Sequence, residues 1–161
     1  MGITVKVADL NSVKETNDIL SLLSHYAMDI MGGGEDLPEE VKQRLIPEFQ
    51  KRNNVLVLLA YDGDAAAGLS ISVEGFSTFY AKPLLNLHDF VVTQEYRGKG
   101  IAKLMLDKLE AISKERGYCK LTLEVLEGNK RAKKIYTDFG FSNYTLDDVM
   151  GKAEFWHKKL D

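Results

Sequence analysis

The sequence predicts an α+β fold: a mixed, largely antiparallel sheet of six or seven strands with helices on both faces, built by residues 1–161 as a single domain. Three observations carry that expectation. Strand-like runs and helix-periodic runs do not alternate one for one; three strands follow two helices in succession, so neighbouring strands pair mainly antiparallel. A length of 161 residues suits one domain with a sizeable core. Hydrophobic residues at 45% and charged residues at 28% are the balance of a soluble globular chain.

Taken in order, Ile3, Val5 and Val7 alternate with Thr4, Lys6 and Ala8 and give a first strand. Asn11 or Ser12 can cap a helix reaching about Met31, with Ile19, Leu22, Leu23 and Tyr26 on one face and Gly32-Gly33-Gly34 at its end. Leu37-Pro38-Glu39-Glu40 starts a shorter helix carrying Val41, Leu45 and Phe49. Residues 54–61 form a buried strand, Asp62-Gly63-Asp64 a hairpin turn, and residues 65–73 the returning strand, with Gly68 as a bulge site. Residues 74–83 read as a long connection and residues 84–92 as the fourth strand. The next helix starts at Ile101, with Leu104, Met105, Lys108, Leu109 and Ile112 at helical spacing. A fifth strand at 120–126, a helix at 129–139 and a closing hairpin from 142–145 and 153–157 complete the chain.

The chemistry concentrates between the fourth strand and its helix, in Gln94-Glu95-Tyr96-Arg97-Gly98-Lys99-Gly100-Ile101-Ala102. A helix start has unpaired N–H groups and a positive dipole end. Gly98 and Gly100 let an anion approach the backbone with no Cβ in the way, and Arg97 and Lys99 add charge. The stretch is a diphosphate cradle by construction. It is not a dinucleotide fingerprint, because Lys103 stands where a third glycine or alanine belongs, and it lacks the Gly-Lys-Ser/Thr of a Walker loop.

What it fits is Arg/Gln-x-x-Gly-x-Gly/Ala, with Arg97, Gly100 and Ala102 in register. Downstream, Asn129, Ala132, Tyr136 and Gly140-Phe141 follow without a gap. These two motifs, joined by a helix and a strand over residues 84–141, resemble the core of the GCN5-related N-acetyltransferases, in a bacterial small-molecule-type subgroup. The resemblance implies the acyl-CoA N-acyltransferase fold, with the sheet splayed between strands 4 and 5 so that the pantetheine arm of acetyl-CoA fills the gap. It assigns the coenzyme to the main chain of Phe90, Val91 and Val92, to Arg97, Gly98, Lys99, Gly100, Ile101 and Ala102 for the diphosphate, and to Asn129, Lys130, Lys133 and Tyr136. It makes Tyr136 the acid that protonates the leaving thiolate; taken alone, Tyr136 also completes an apolar stripe with Ala132, Ile135 and Phe139.

Acyl transfer to an amine needs the acceptor as free base, so a proton acceptor helps. His88 is the leading candidate: a histidine's ordinary pKa, about 6.5, suits that task. The polyamine-acetylating branch of the family often carries glutamate at this place, followed by aspartate; here the pair is His88-Asp89. A structural histidine bonding residues 76–80 is the other reading, and Glu124 on the next strand is a second base candidate. Strand alternation puts Asn86, His88 and Phe90 on one face and Leu87, Asp89 and Val91 on the other. Asp89 reads as an orienting or structural carboxylate. Phe76, Ser77, Thr78, Phe79, Asn86, His88 and Asp89 are the expected acceptor-pocket residues.

The expected activity is therefore acetyl transfer from acetyl-CoA, without a metal, to a primary amine of a small molecule, either a polyamine or an amino-acid-like amine. A peptide or protein acceptor, a non-catalytic acyl-CoA-binding module and an unrelated nucleotide binder are the alternatives. The net charge of −3 hides a segregation: residues 97–134 carry 11 basic and 5 acidic side chains, while residues 1–96 carry 7 basic and 14 acidic. A basic cradle suits a polyphosphate and acidic flanks suit a cationic acceptor. Nucleic acid is not expected, because the chain is acidic overall and its basic stretch lacks interleaved aromatics. No apolar run approaches a membrane span, and residues 1–10 do not read as a signal peptide. The single cysteine, Cys119, reads as structural and allows no internal disulfide, which makes a cytoplasmic setting the default. The resemblance also allows a homodimer through the late strands.

Overall fold

The computed structural model describes residues 2–160. They fall into two compact units, Met1–Leu123 and Glu124–Asp161, and each is described by itself. The first holds a five-stranded sheet in the order β1-β2-β3-β4-β5: β1 Ile3–Val7, β2 Val55–Asp62, β3 Ala65–Ser77, β4 Lys82–Val92 and β5 Leu121–Leu123. β1 to β4 pair antiparallel in succession, and β5 joins β4 parallel. Five strands stand where six or seven were expected. The expected closing hairpin is, in the second unit, a single bridge between Thr145 and Lys152.

Helices cover both faces, as the pattern requires. α1 (Val13–Met28) starts where the Ser12 hydroxyl accepts from the N–H of Glu15 at 3.2 Å, and α2 spans Glu39–Gln50. Their apolar stripes, Ile19 and Leu22 with Phe49, bury against Val57, Leu59, Tyr61, Leu69, Ile71 and Val91. On the opposite face α3 (Ile101–Glu115) packs Ile101 and Met105 against Ala60 and Ala67, with Phe90, Val92 and Tyr96 alongside. The alternation of β2 explains the two-sided burial: odd residues face α1 and α2, and even residues face away from them.

Two local features fix where α3 begins. Ala60 pairs with Gly68 and Tyr61 with Ala66, so Ala67 is an inserted residue and the bulge falls beside Gly68, as expected. A Cβ on Gly68 would lie 2.8 Å from the Met105 sulfur and 3.2 Å from the Val91 carbonyl, so this glycine is what allows the helix so close to the sheet. At the other end the chain departs from expectation. Residues 74–83 are not a long connection: β3 runs on to Ser77, β4 starts at Lys82, and the tip is the four residues 78–81, with Ala81 at φ 52°. Continuous main-chain pairing from Val73 to Ser77 outweighs the weak strand propensity of Glu74 and Gly75. The second unit contains α4 (Lys130–Phe139), closed by Gly140 at φ 111°.

Candidate active site

β4 ends at Val92, a 3₁₀ turn follows at Gln94–Tyr96, and α3 opens at Gly100. Gly98 and Gly100 take φ of 75° and 81°, a region that side-chain-bearing residues enter only at a cost. Gly100 is the N-cap and offers no side chain to the helix, and the first turn carries no acidic residue. The first helical bond is Leu104 N–H to the Gly100 carbonyl at 3.2 Å, which leaves the amides of Ile101, Ala102 and Lys103 without an intrahelical acceptor. These amides and the positive end of the helix dipole fit the diphosphate of coenzyme A, as an open cradle should.

Side chains fix the cradle from behind. The Tyr96 hydroxyl donates to Asp62 Oδ2 at 3.0 Å, which pushes its pKa up, and the Lys99 ammonium lies 5.2 Å from the Tyr96 ring centre. Arg97 Nε donates to the Val92 carbonyl at 3.2 Å.

The edge of β4 is the second component. β5 pairs only with Leu85, Asn86 and Leu87, whereas β4 continues five residues further along β3. Thr93 N–H donates to Ala67 O, so by antiparallel alternation the main chain of Val91 faces β3, and the main-chain groups of Phe90 and Val92 point to the other side of the strand. Val91, expected with its neighbours at the coenzyme, instead belongs to the β3 ladder and buries its side chain in the α1/α2 core.

The strand alternation expected around His88 fails, for a definite reason. Ile71 pairs with Asp89 and Ser72 with Leu87, so His88 is the extra residue of a bulge. Past the bulge every side chain changes face. Asn86, Asp89 and Val91 share the α1/α2 side, while Leu87 and Phe90 share the α3 side, opposite to the simple alternation. His88 is exposed at the bulge. Asp89 is half-buried; burial pushes its carboxyl pKa up, with the neighbouring His88 opposing. Tyr26 of α1 is pushed up as well, by burial first and then by the carboxylates of Asp89 and Asp29. Asn86 Nδ2 donates to Thr122 Oγ1 at 2.9 Å, and its buried Oδ1 has no protein partner among the described residues.

The remaining expected acceptor residues lie elsewhere. Phe76, Ser77, Thr78 and Phe79 sit at the β3–β4 tip, where Phe79 is fully exposed and Ser77 Oγ accepts from Tyr80 N–H. Phe76 pairs with Pro83, six residues from Asp89, roughly 20 Å along the strand. The structure does not bring this tip to the bulge. Cys119 is half-buried at the entry to β5, its amide bonded to Pro83 O at 2.8 Å.

In the second unit Asn129 is the N-cap of α4: its Oδ1 accepts from Ala132 N–H at 3.2 Å. Tyr136 sets its ring edge-on to Phe141 at 5.8 Å, and Phe141 N–H closes the helix on the Tyr136 carbonyl. Lys130 and Lys133 line a groove of α4 together with Glu127, Lys134, Thr137 and Asp138, and Glu124 is exposed. Among the described residues no group of three histidine, cysteine or acidic side chains is placed to hold a metal, and no helix is long and apolar enough to cross a membrane.

An uncapped helix start directly after a strand can take a diphosphate, and comparison with known proteins says which class of protein carries it here. The acetyltransferase (GNAT) family model matches residues 19–141, and the chain belongs to that family. It is 32% identical over 95 residues to a thialysine N-epsilon-acetyltransferase of Bos taurus, covering 59% of this chain and 52% of that protein. A thialysine N-epsilon-acetyltransferase of Caenorhabditis elegans is 23% identical over 127 residues, 79% of this chain and 69% of that one. The match thus spans about half the length of the bovine relative. Among solved structures, an aminoglycoside acetyltransferase from an uncultured soil metagenomic sample, in complex with sisomicin, superposes with a TM-score of 0.79 at 15% identity, covering 99% of this chain and 97% of that one.

Proposed function

We propose that the protein is an acetyl-CoA-dependent N-acetyltransferase that moves acetyl directly to a primary amine of a small molecule, a polyamine or an amino-acid-like amine, within a ternary complex. The observation that carries the reading is the start of α3, which has neither a side-chain cap nor an acid in its first turn and follows closely on the end of β4. The names of the curated relatives, thialysine acetyltransferases, support a small amine as acceptor. The whole chain acts as one domain in this reading, in a cytoplasmic setting.

Bound acetyl-CoA supplies an activated thioester. The amides of residues 98–102 and the charge of Arg97 and Lys99 hold its diphosphate, with Phe90 and Val92 offering main-chain partners to its arm. Asn129 keeps its Nδ2 for the coenzyme while Oδ1 caps the helix, and Lys130 and Lys133 add charge at the phosphate end. Asn86, His88 and Asp89 border the acceptor; the half-buried carboxylate favours a cationic amine. His88 accepts the amine's proton, with Glu124 as second candidate, and Tyr136 delivers one to the departing thiolate.

Calorimetric titration with CoA, followed by thiol release from acetyl-CoA over a panel of polyamines, lysine analogues and aminoglycosides, tests this. CoA binding with turnover on a small amine is expected. Turnover on peptide amines alone would move the acceptor class, and CoA binding without thiol release on any amine would leave a binding module. Heat with ATP or NAD but none with CoA would end the reading.

A further inference from the structure

Arg97 heads the cradle, yet its guanidinium is held along one edge only. Nε donates to the carbonyl of Val92 at 3.2 Å, and Nη2, on the same edge, stands 4.0 Å from Asp29 Oδ2. Nη1 has no partner among the described residues. Asp29 is fixed in its turn. Its N–H donates to the Tyr26 carbonyl at 3.1 Å, its Oδ1 accepts from Met31 N–H at 3.0 Å, and its carbonyl accepts from Gly32 and Gly34 at 2.9 and 3.0 Å. Oδ2 is therefore presented from a turn with four other hydrogen bonds, not from a loosely held surface acid.

We infer that Asp29 is a positioning residue for the coenzyme: together with the Val92 carbonyl it fixes the plane of Arg97, leaving the opposite donors of the fork for the diphosphate. This rests on the coenzyme reading above and deepens it. An arginine fork has five donors in one plane, so a hydrogen bond at Nε with a carboxylate 4.0 Å from Nη2 on the same edge biases the orientation of the whole group. At 4.0 Å and with both partners partly exposed, the ion pair adds little to stability. Its effect lies in rotamer freedom given up before the ligand arrives, which is worth roughly 3- to 10-fold in affinity for one long side chain. The sign separates this role from plain charge. Asp29 adds negative potential beside an anion site, so by Coulomb's law alone its neutralisation tightens CoA. As a positioning residue, its neutralisation weakens CoA.

Asp29→Asn and Asp29→Ser both retain an oxygen for Met31 N–H, so the turn keeps its cap. Calorimetry should show CoA bound roughly 3- to 10-fold more weakly in each, with the melting temperature unchanged and, once an acceptor is known, the loss in KM for acetyl-CoA and not in kcat. In an Arg97→Gln background the same substitutions should cause no further loss. Tighter or unchanged CoA binding, or the same loss with and without Arg97, overturns the proposal. No heat from the unaltered protein with CoA would instead remove the coenzyme reading itself, and this proposal with it.

Discussion

The helices α3 and α4 begin in opposite ways. α4 opens on Asn129, whose side chain accepts from Ala132 N–H at 3.2 Å. α3 opens on Gly100, which has nothing to offer. α1 has its Ser12 cap, and α2, with Pro38 at its N-cap, at least places Glu39 and Glu40 against the positive end of its dipole. Only α3, among these four, has neither device. A cap is worth about 1 kcal/mol, so the chain forgoes stability at one helix start and takes it at another. The difference teaches where to look for a ligand: an exposed helix start with no side-chain cap leaves its amides to water, or to an anion that displaces it.

The comparison breaks most visibly if α3 is given what α4 has. Gly100→Asp puts a carboxylate on the open amides, at a φ of 81° that aspartate tolerates better than most residues. Repulsion at a few ångströms predicts CoA binding weakened by roughly 100-fold or more in calorimetry. Backbone strain and the favourable helix dipole oppose each other, so the melting temperature should stay within about 4 °C of the original. CoA should raise the melting point of the original protein and not of the variant. Retained CoA affinity would show that the start of α3 is not the diphosphate site.

A second test asks whether the capped helix carries chemistry instead of binding. Tyr136→Phe keeps the ring that meets Phe141 edge-on and removes only the hydroxyl. Steady-state kinetics should show kcat reduced about 100-fold with KM for acetyl-CoA preserved. Unaltered turnover would return Tyr136 to packing. His88→Ala, at the bulge of the strand that feeds α3, should lower kcat roughly 10-fold at neutral pH and recover as rising pH deprotonates the acceptor amine itself. A loss that is flat across pH would shift the base to Glu124.

Smaller still is the effect of removing the cap that α4 does have. Asn129→Ala should cost about 1 kcal/mol, a fall of roughly 2–4 °C in melting temperature, and Asn129→Ser should restore it. If the serine variant restores stability but binds CoA more weakly, Asn129 also touches the coenzyme.

Much of this was legible because it rests on local chemistry. The diphosphate cradle follows from two glycines at a strand-to-helix junction, and the sheet-and-helix layering follows from apolar periods in residues 13–28, 55–62 and 101–115. What was not legible depends on pairing across strands. A bulge inserts one residue with no mark in local composition, so His88 and everything beyond it changed face. Glu74 to Ser77 joined β3 because the partner strand was there, which carried Phe76 and Phe79 away from the bulge. The approach of Asp29 to Arg97, 68 positions on, is likewise visible only in the fold. Which main-chain groups of residues 90–92 face β3 is likewise set by register.

The contrast between satisfied and unsatisfied groups extends to carboxylates, and there it can be read through pH. Asp36 accepts from Lys42 at 2.7 Å and from Ser24, which hold its pKa at about 2 against an ordinary 3.8. Its favourable contribution is present above pH 3.8 and fades as pH falls through about 2, and solvent exposure keeps it small. Asp89 is the reverse: among the described residues its carboxylate has no hydrogen-bond partner, and burial raises its pKa above 3.8. The folded state then holds the proton more tightly than the unfolded chain, so the penalty is absent below 3.8 and complete above the raised folded value. Asp89→Asn should therefore melt higher than the original protein at pH 7, by roughly 1–2 °C, with the gap closing as the buffer approaches pH 3.8. A gap that persists in acid would mean packing and not charge. If the stabilised variant also loses turnover on cationic amines while keeping CoA, then Asp89, like Gly100, is a place where the chain gives up stability to leave a group open for its ligand.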